Sequence, residues 1–308
     1  MINRLLRVFN NPRKIGAKFM RITSSLWKSD SLYLQLLFYF RMGYKLDLNN
    51  PKTYSEKLQW LKIHDKNSFY TQLVDKLAVK DYISKIIGPQ YLIKTIGSGW
   101  ERAEQINWDT LPNRFVLKTT HGGGNTGVII CRDKSNFDKN YAIKLLNDSL
   151  DSDLYHISRE WCYKNVKRQI IAEEYMEDEF GELRDYKFFC FDGVVKALFI
   201  ATDRGNPNEP TKFDYFDRNF THLNIINGHP MSIKPIDKPK NLDEMIRIAE
   251  KLSKKLPHVR VDLYDVNGRI YFGELTFYHH SGLCPMEPIE WDYRFGEWLK
   301  LPESQNGN

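Results

Sequence analysis

The sequence predicts an α+β protein with a helical N-terminal lobe and a sheet-rich body. Two segments with helical periodicity lie before residue 90, and short apolar runs separated by glycine turns begin at residue 115. A last pair of apolar strands surrounds a turn near residue 267. The chain has 308 residues, of which 42% are hydrophobic, so it can bury one large core or two smaller ones.

Local start and stop signals define the helical lobe. Thr53 followed by Glu56 forms a capping box ahead of EKLQWLKIHD and predicts the start of a helix. Residues 72–87, QLVDKLAVKDYISKII, carry apolar side chains at helical spacing and stop before Gly88. We therefore expect two helices in this part of the chain.

The body begins with FVLK and VIIC, two predicted strands joined by the glycine-rich turn HGGGNTG. After a helical stretch near residues 137–165 come the strands RQIIAEEYM, LRDYKFFCF and VVKALFIATD, and Asp192-Gly193 between the last two is a type I′ turn signal. Residues 205–240 contain prolines and many polar residues, so we expect a long irregular loop there. A helix is predicted at about residues 242–255.

The final strand pair, HVRVDLYDVNGRIYFGELTF, can adopt two registers. A type I turn with a bulge at Gly268 pairs Arg260 with Glu274 and places both on one face with Asp262. A two-residue turn at Asn267-Gly268 shifts the pairing by one residue and moves Glu274 to the other face. The grouping of these charged side chains therefore depends on the bulged turn.

Lys118 and the loop from His121 to Gly127 have the composition of a phosphate-binding turn. Glycines let backbone N–H groups approach an anion closely, and a lysine at the end of the preceding strand supplies positive charge. The loop is not a Walker A motif, because its lysine precedes the glycines. The alternative is an ordinary glycine hairpin beside an exposed lysine.

Asp262 and Glu274 are candidate metal ligands, with Asp265 as an outer carboxylate. Hard oxygen ligands on rigid strands suit Mg²⁺ that bridges nucleotide phosphates. The alternative is a pair of solvated strand carboxylates, because the alternating apolar residues of this strand predict burial only for its opposite face.

Six segments, in this order along the chain, resemble the TupA-like branch of the ATP-grasp superfamily, which is associated with bacterial surface polysaccharides. They are NPKTYSEKLQWLK, VDKLAVKDY, LPNRFVLKTTHGGGNTG, SREWCYKNVKRQIIAEEYM, RDYKFFCFDG and VRVDLYDVNGRIYFGELTF. The resemblance covers roughly residues 45 to 300 and implies two α+β subdomains that clamp ATP. The implied divisions are a basic amphipathic helical segment at 1–45, a helical lobe at 46–112, a subdomain with the glycine loop at 113–176, a subdomain with the metal site at 177–300, and a tail at 301–308.

The resemblance also implies a set of site residues. The implied nucleotide-binding residues are Lys76, Lys118, His121, Gly122, Gly123, Gly124, Glu173, Glu174, Tyr175, Met176, Asp185 and Lys187. Among these, residues 173–176 look like the strand end that binds adenine. The implied metal ligands are Asp262, Glu274 and Thr276, and the implied catalytic cations are Arg260 and Lys118.

Thr276 departs from the family pattern, because relatives commonly carry Glu-x-Asn where this chain has Glu-x-Thr. A neutral hydroxyl is a weaker ligand, so a second Mg²⁺ is expected to bind less tightly than in those relatives. The following segment HHSG, residues 279–282, stands where relatives bind substrate. For each of its histidines a structural or exposed role is the favoured interpretation.

The implied activity is that of a carboxylate–amine ligase that uses ATP and Mg²⁺ and works through an acyl phosphate. The implied substrates are a uronic-acid carboxylate on a glycan or its precursor and an amine, either an amino acid or an amino sugar; no nucleic acid is involved. A glycosyltransferase is the main alternative, with Asp151-Ser152-Asp153 as a DxD-like motif, although the same residues favour a helix N-cap. A third hypothesis is a regulatory module that binds a nucleotide without turning it over.

Composition sets the broad class. The 45 basic and 39 acidic residues leave a net charge of +6, which favours anionic partners without selecting one kind. The four cysteines are far apart with no CxxC pair, as expected in a reducing compartment. Without a membrane-spanning apolar run or a signal-peptide pattern, a cytoplasmic protein is expected.

The first thirty residues carry seven lysines and arginines among apolar residues and a single acid, Asp30. A helix packed on its own domain is the favoured interpretation. The alternative is peripheral contact with the anionic inner face of a membrane.

Overall fold

The computed structural model describes residues 12–123, 126–178, 181, 183–204 and 208–302. Its N-terminal helices are α1 (Pro12–Ile22), α2 (Asp30–Met42), α3 (Tyr54–His64), α4 (Phe69–Val74) and α5 (Val79–Ile86). The capping box predicted for α3 is confirmed, because Thr53 Oγ1 accepts the Glu56 N–H and the Glu56 carboxylate accepts the Thr53 N–H.

The single helix predicted over residues 72–87 is wrong, because the chain turns between α4 and α5. The Asp75 carboxylate accepts hydrogen bonds from the backbone of Leu77 at 2.8 Å and of Ala78 at 3.1 Å. An aspartate that caps the following backbone in this way competes with helix continuation. The interruption places Lys76 in a turn instead of on a helix face.

The first sheet has four antiparallel strands in the order β1-β4-β2-β3. These strands are β1 (Thr95–Trp100), β2 (Phe115–Thr119), β3 (Val128–Cys131) and β4 (Ile170–Glu174). Helix α6 (Lys139–Asp151), which is followed by the short α7 (Leu154–Ser158), covers one face through Ala142, Leu146 and Leu150. Strand β1 lies in the 46–112 segment that the sequence assigned to the helical lobe, so that assignment is corrected here.

The second sheet has six antiparallel strands in the order β10-β9-β5-β6-β7-β8. These strands are β5 (Asp185–Phe191), β6 (Val194–Thr202), β7 (Lys212–Asp217), β8 (His222–Leu223), β9 (His258–Val266) and β10 (Arg269–Thr276). Helix α8 (Leu242–Ser253) packs on one face against β5, β6 and β9. On the other face, Phe295 of α9 (Glu290–Trp298) contacts the rings of Phe189 and Phe191.

Two features of the second sheet differ in how well they were predicted. The type I′ turn between β5 and β6 is confirmed, since Asp192 and Gly193 have φ values of 47° and 75°. The predicted loop at 205–240 is only partly irregular, because it contains β7 and β8 as an edge hairpin of the sheet. Residues 205–207 of that segment lie outside the described residues.

The register of the β9–β10 hairpin corrects the sequence prediction. Asn267 and Gly268 have φ values of 53° and 82°, so of the two expected registers the two-residue turn forms. The expectation that the charged grouping depends on a bulge at Gly268 is wrong. A bulge occurs instead at Gly273, and beyond it Glu274 pairs with Asp262. A side chain at Gly273 would place Cβ 3.0 Å from the Asp262 carbonyl oxygen, so the bulge favours glycine.

No helix within the described ranges combines the length and the apolar character that crossing a bilayer requires.

Candidate active site

A narrow cleft lies between the first sheet and strand β10. It is lined by Lys76, Lys80, Leu92, Ile93, Lys118, Glu173, Phe272 and Gly273. Three lysines and one carboxylate therefore meet in a space walled by apolar side chains. The second sheet contributes Phe272 and Gly273 of β10 to the lining.

Glu173 joins two lysines on the first-sheet side of the cleft. Lys118 lies opposite Ile171 and Glu173 lies opposite Val116 in the β2–β4 ladder, so both side chains point to the same face. The Glu173 carboxylate lies 2.7 Å from Lys118 Nζ and 2.5 Å from Lys80 Nζ. Burial alone would raise the pKa of Glu173, but the two lysines outweigh it and lower that pKa.

Lys80 is a site residue that sequence reasoning missed. Its Nζ also donates to the Ile93 carbonyl at 2.8 Å and to Thr95 Oγ1 at 2.7 Å. The available signal was its position four residues after Lys76 in VDKLAVKDY, but the meaning of that spacing depends on the turn before α5.

Lys76 is tied to the glycine loop. Its backbone N–H donates to the Thr120 carbonyl at 3.1 Å, and its Nζ donates to the Gly122 carbonyl. At Gly122 a Cβ would lie 2.5 Å from the Thr126 carbonyl oxygen, whereas the space around Gly123 is open. Of the predicted loop residues, Gly124 lies outside the described residues.

The His121 side chain contacts helix α6 and does not line the cleft. The ring is buried, and its Nε2 lies 3.0 Å from the Ser149 carbonyl oxygen on α6. Burial and the nearby charge of Arg168 lower the pKa of His121. The structure thus gives this residue a packing contact beneath the loop.

Asp262 lies at the centre of the second-sheet side. Its carboxylate is fully buried and receives a bidentate pair of hydrogen bonds from Arg260 Nε and Nη2, both at 2.7 Å. Lys187 of β5, which is paired with Asp262 in the ladder, donates to the same carboxylate and lies 3.3 Å from Asp185. The solvated-carboxylate interpretation is therefore wrong for Asp262.

Glu274 and Thr276 complete this face. Arg260 Nη2 lies 3.3 Å from Glu274 Oε1 and 2.9 Å from Thr276 Oγ1. The Glu274 side chain is 31% exposed. Burial favours its neutral form, but Lys76, Lys187 and Arg260 outweigh that effect and lower the pKa of Glu274 to about 2.

His279 contacts Arg260 directly, which the sequence prediction of a structural or exposed histidine did not anticipate. Arg260 Nη1 lies 2.7 Å from His279 Nδ1, and His279 Nε2 lies 2.8 Å from Asn227 Oδ1. An arginine only donates, so Nδ1 accepts and the ring proton sits on Nε2, which donates to Asn227. Burial and the charge of nearby cations lower the pKa of His279, in keeping with a neutral ring.

The remaining predicted nucleotide-binding residues lie at the outer end of β4. Glu174 is exposed and pairs with Lys94 at 3.1 Å. Tyr175 is half-buried beneath the Arg114 guanidinium, 4.1 Å from the ring centre, and Met176 is also half-buried. These three side chains do not line the lysine cluster, and the role of this strand end in binding adenine stays a prediction.

The Asp262 and Glu274 carboxylates suit a magnesium ion that is also coordinated by phosphate oxygens of a nucleotide. The described residues include no group of three or more His, Cys, Asp or Glu side chains arranged to hold a metal ion. Asp262 and Glu274 face each other across β9 and β10 and supply hard oxygen atoms. Mg²⁺ is commonly held by one or two carboxylates together with substrate phosphates, so this pair suffices in kind and number.

Asp265 and the DxD-like residues have other roles. Asp265 accepts the Gly268 N–H at 3.0 Å and supports the hairpin turn. Asp153 Oδ1 accepts the His156 N–H at 2.9 Å as the N-cap of α7, which confirms the capping interpretation. Asp151 pairs with Arg102 at 2.8 Å.

Comparisons with known proteins identify a family and two similar solved structures. The family described as TupA-like ATPgrasp matches residues 56–300. Among solved structures, the chain is similar to D-alanine–D-alanine ligase from Bacillus anthracis, with 20% identity, 67% of this chain and 57% of that chain covered, and a TM-score of 0.40. It is also similar to N5-carboxyaminoimidazole ribonucleotide synthetase in its ADP complex, with 19% identity, coverages of 72% and 50%, and a TM-score of 0.40.

The chain thus spans between half and three fifths of the length of these two solved chains. No curated protein gives a significant sequence match. Because the family match covers most of the chain, this protein is a member of the TupA-like ATP-grasp family and has an ATP-grasp fold.

Proposed function

We propose that this protein is an ATP-dependent carboxylate–amine ligase that activates its acid as an acyl phosphate. The observation that carries the proposal is a lysine-lined cleft beside a cluster of carboxylates and an arginine, close enough that the charges of Lys76 and Lys118 help to lower the pKa of Glu274. Lys76, Lys80 and Lys118 line the cleft from one side, and the Arg260, Asp262 and Glu274 cluster belongs to the hairpin that forms the other side. Such an arrangement suits a magnesium nucleotide, because phosphoryl transfer is catalysed mainly by positioning and charge stabilisation.

The first step transfers the γ-phosphoryl group of ATP. An oxygen of the substrate carboxylate attacks the γ-phosphorus, the bond from that phosphorus to the β,γ-bridging oxygen breaks, and ADP leaves with the bonding electrons. Lys118 and Arg260 stabilise the charge on the group in transfer, and Lys76 and Lys80 hold the phosphates. Held by Asp262 and Glu274, Mg²⁺ would neutralise phosphate charge.

The second step forms the amide. The amine nitrogen attacks the acyl carbon, the carbon–oxygen bond to phosphate breaks, and the amine proton leaves on the released phosphate. No protein nucleophile takes part. From the family resemblance we further propose a uronic-acid carboxylate of a glycan or glycan precursor as the acid, and an amino acid or amino sugar as the amine, in surface-polysaccharide biosynthesis.

An assay of nucleotide products tests this proposal. The protein is incubated with ATP and Mg²⁺ and with pairs of uronates and amines, and ADP and phosphate are measured. Release of both that depends on the acid and the amine together is the expected result. Nucleoside diphosphate formed only from a nucleotide sugar would instead indicate glycosyl transfer, and ATP binding without turnover would indicate a regulatory module; either outcome contradicts the ligase.

A matched pair of variants tests the site itself. Asp262→Asn is expected to lower turnover about 10²- to 10³-fold, as does removal of comparable electrostatic groups in other enzymes. Asp265→Asn removes a carboxylate from the same strand, but one that supports the turn, so near-normal turnover is expected. Wild-type turnover in Asp262→Asn would refute the metal assignment while leaving the ligase proposal to the product assay.

A further inference from the structure

The outer face of α1 carries exposed apolar side chains. Phe19 is 57% exposed and Ile22 is 71% exposed, and Ile15 lies beside them on the same side of the helix. At 3.6 residues per turn these three fall within an arc of about 60°. Leu26, just after the helix, is 76% exposed. Ile15, Phe19 and Ile22 therefore form one solvent-facing stripe, and Leu26 adds a fourth exposed apolar side chain just after the helix.

Basic residues follow one edge of this stripe. Lys18 and Arg21 are exposed on α1. At 3.6 residues per turn Lys18 lies about 40° and Arg21 about 100° from Ile22, both on the same side of the stripe. From residue 12 to residue 29 the sequence contains five lysines and arginines and no acid. The first acid, Asp30, pairs with Arg159 at 2.9 Å. The stripe thus has positive charge along one edge, with no acidic residue in this segment to offset it.

The opposite face of α1 is firmly packed, so the exposure of the stripe does not come from a detached helix. Ala17 and Met20 are buried in a cluster with residues of α2 and with Leu283, which follows β10. Gly16 lies so close to the Phe40 ring that a Cβ there would be 2.4 Å from it. Arg41 of α2 also donates to the Leu283 carbonyl at 3.1 Å. The helix is therefore held on the body of the protein.

We propose that this face of α1 is a docking surface for an anionic lipid bilayer. A helix with large apolar residues on one side and lysines and arginines at their edges lies in the interface plane, where apolar side chains enter the headgroup region and basic ones meet acidic lipids. A polynucleotide offers aliphatic side chains no comparable apolar layer. A second copy of the chain would place the same positive border against itself. This inference does not depend on the proposed ligase activity.

Vesicle sedimentation of the full chain tests the proposal. Vesicles of phosphatidylcholine with about one third phosphatidylserine are compared with pure phosphatidylcholine at low and high salt. The wild type is expected to bind the anionic vesicles and to lose most binding at high salt. Phe19→Ser combined with Ile22→Ser, and Lys18→Gln combined with Arg21→Gln, should each weaken binding about tenfold or more.

Matched controls come from the exposed segment near residue 233. Ile233 is 97% exposed and has Lys234 and Lys238 near it in sequence, so Ile233→Ser and the double lysine-to-glutamine variant remove the same chemistry elsewhere. Both controls should bind vesicles like the wild type. No wild-type binding to anionic vesicles, equal loss in the controls, or dependence on charge without dependence on Phe19 and Ile22 overturns the proposal. So does a change of oligomeric mass in the apolar variant, which would indicate a contact between copies.

Discussion

The two faces of the candidate site are built from different balances of charge. The first-sheet face has three cations, Lys76, Lys80 and Lys118, around one carboxylate, Glu173. The second-sheet face matches carboxylates with cations in a closed network, namely Asp185, Asp262 and Glu274 with Lys187, Arg204 and Arg260. The first face therefore has excess positive charge that suits a polyanion. On the second face the carboxylates already have cationic partners, so a metal ion would have to replace one of those partners. Variants of single residues can separate these two roles.

The largest effect is expected on the second face, at Arg260. Arg260→Met removes both hydrogen bonds to buried Asp262 and the contact with Glu274. We expect turnover to fall by about 10³-fold and unfolding free energy to fall by about 3 kcal/mol, because a buried carboxylate loses its main partner. ADP release and urea unfolding measure these effects. Arg269→Met, on the exposed end of the same hairpin, serves as the control, and equal losses in both variants would count against the special role of Arg260.

On the first face we expect two lysine substitutions to lower activity by different amounts. Lys118→Met should lower kcat/KM for ATP by about 10²-fold, since Lys118 sits on the strand beside the glycine loop. Lys80→Met should lower kcat/KM for ATP only about tenfold. The reason is that Lys80 Nζ also donates to the Ile93 carbonyl and to Thr95, so less of its charge is directed at the nucleotide. Steady-state kinetics with varied ATP measures both. A larger effect at Lys80 than at Lys118 would reverse the assignment of the two lysines.

A smaller effect is expected at His279, which acts on the second face through Arg260. His279→Leu removes the acceptor for Arg260 Nη1 and should lower kcat about tenfold while leaving the Kd for ATP unchanged. His279→Asn keeps an acceptor at a similar position and should restore most of the rate. Rapid-quench turnover and equilibrium ATP binding separate the two quantities. Equal rates for the leucine and asparagine variants would show that the hydrogen bond is not what matters.

The smallest effect concerns the pH dependence of stability. In the folded protein the pKa of Glu274 is about 2, below the unfolded value of about 4.3. The ionised form therefore contributes stability above about pH 4.3, and this contribution is lost as pH falls toward 2. Glu274→Gln should flatten the decline in unfolding free energy over that interval. Urea unfolding from pH 2 to pH 7 tests this, and superimposable wild-type and variant curves would contradict it.

Local signals in the sequence predicted the elements that neighbouring residues determine. The capping box at Thr53 and the type I′ turn at Asp192-Gly193 involve atoms a few residues apart, so the local sequence is enough to predict them. The break between α4 and α5 is also local, since Asp75 caps the backbone that follows it. The apolar periodicity of residues 72–87 hid that break, because Leu73 and Val74 of α4 and Val79 and Ile83 of α5 are all buried in one core cluster.

The β9–β10 hairpin shows how a correct grouping followed from an incorrect register. The prediction used a bulged turn at Gly268 to bring Arg260, Asp262 and Glu274 together. The chain makes a two-residue turn and recovers the grouping with a bulge at Gly273, where the strand passes close to the Asp262 carbonyl. A single glycine in a strand suggests a bulge, but only the packing of the whole sheet selects its position.

By itself the sequence determined the capped start of α3, the strands on either side of the glycine loop and the strands β5, β6, β9 and β10. These follow from periodicity and turn chemistry, which act over short distances, whereas the charged site residues followed from the family resemblance. Only the tertiary structure decided that Glu173 lies between Lys118 and Lys80, and that His279 and Asn227 orient Arg260. The physical reason is that such contacts join residues 19 to 93 positions apart in the chain, and folding alone sets which of the available charges meet.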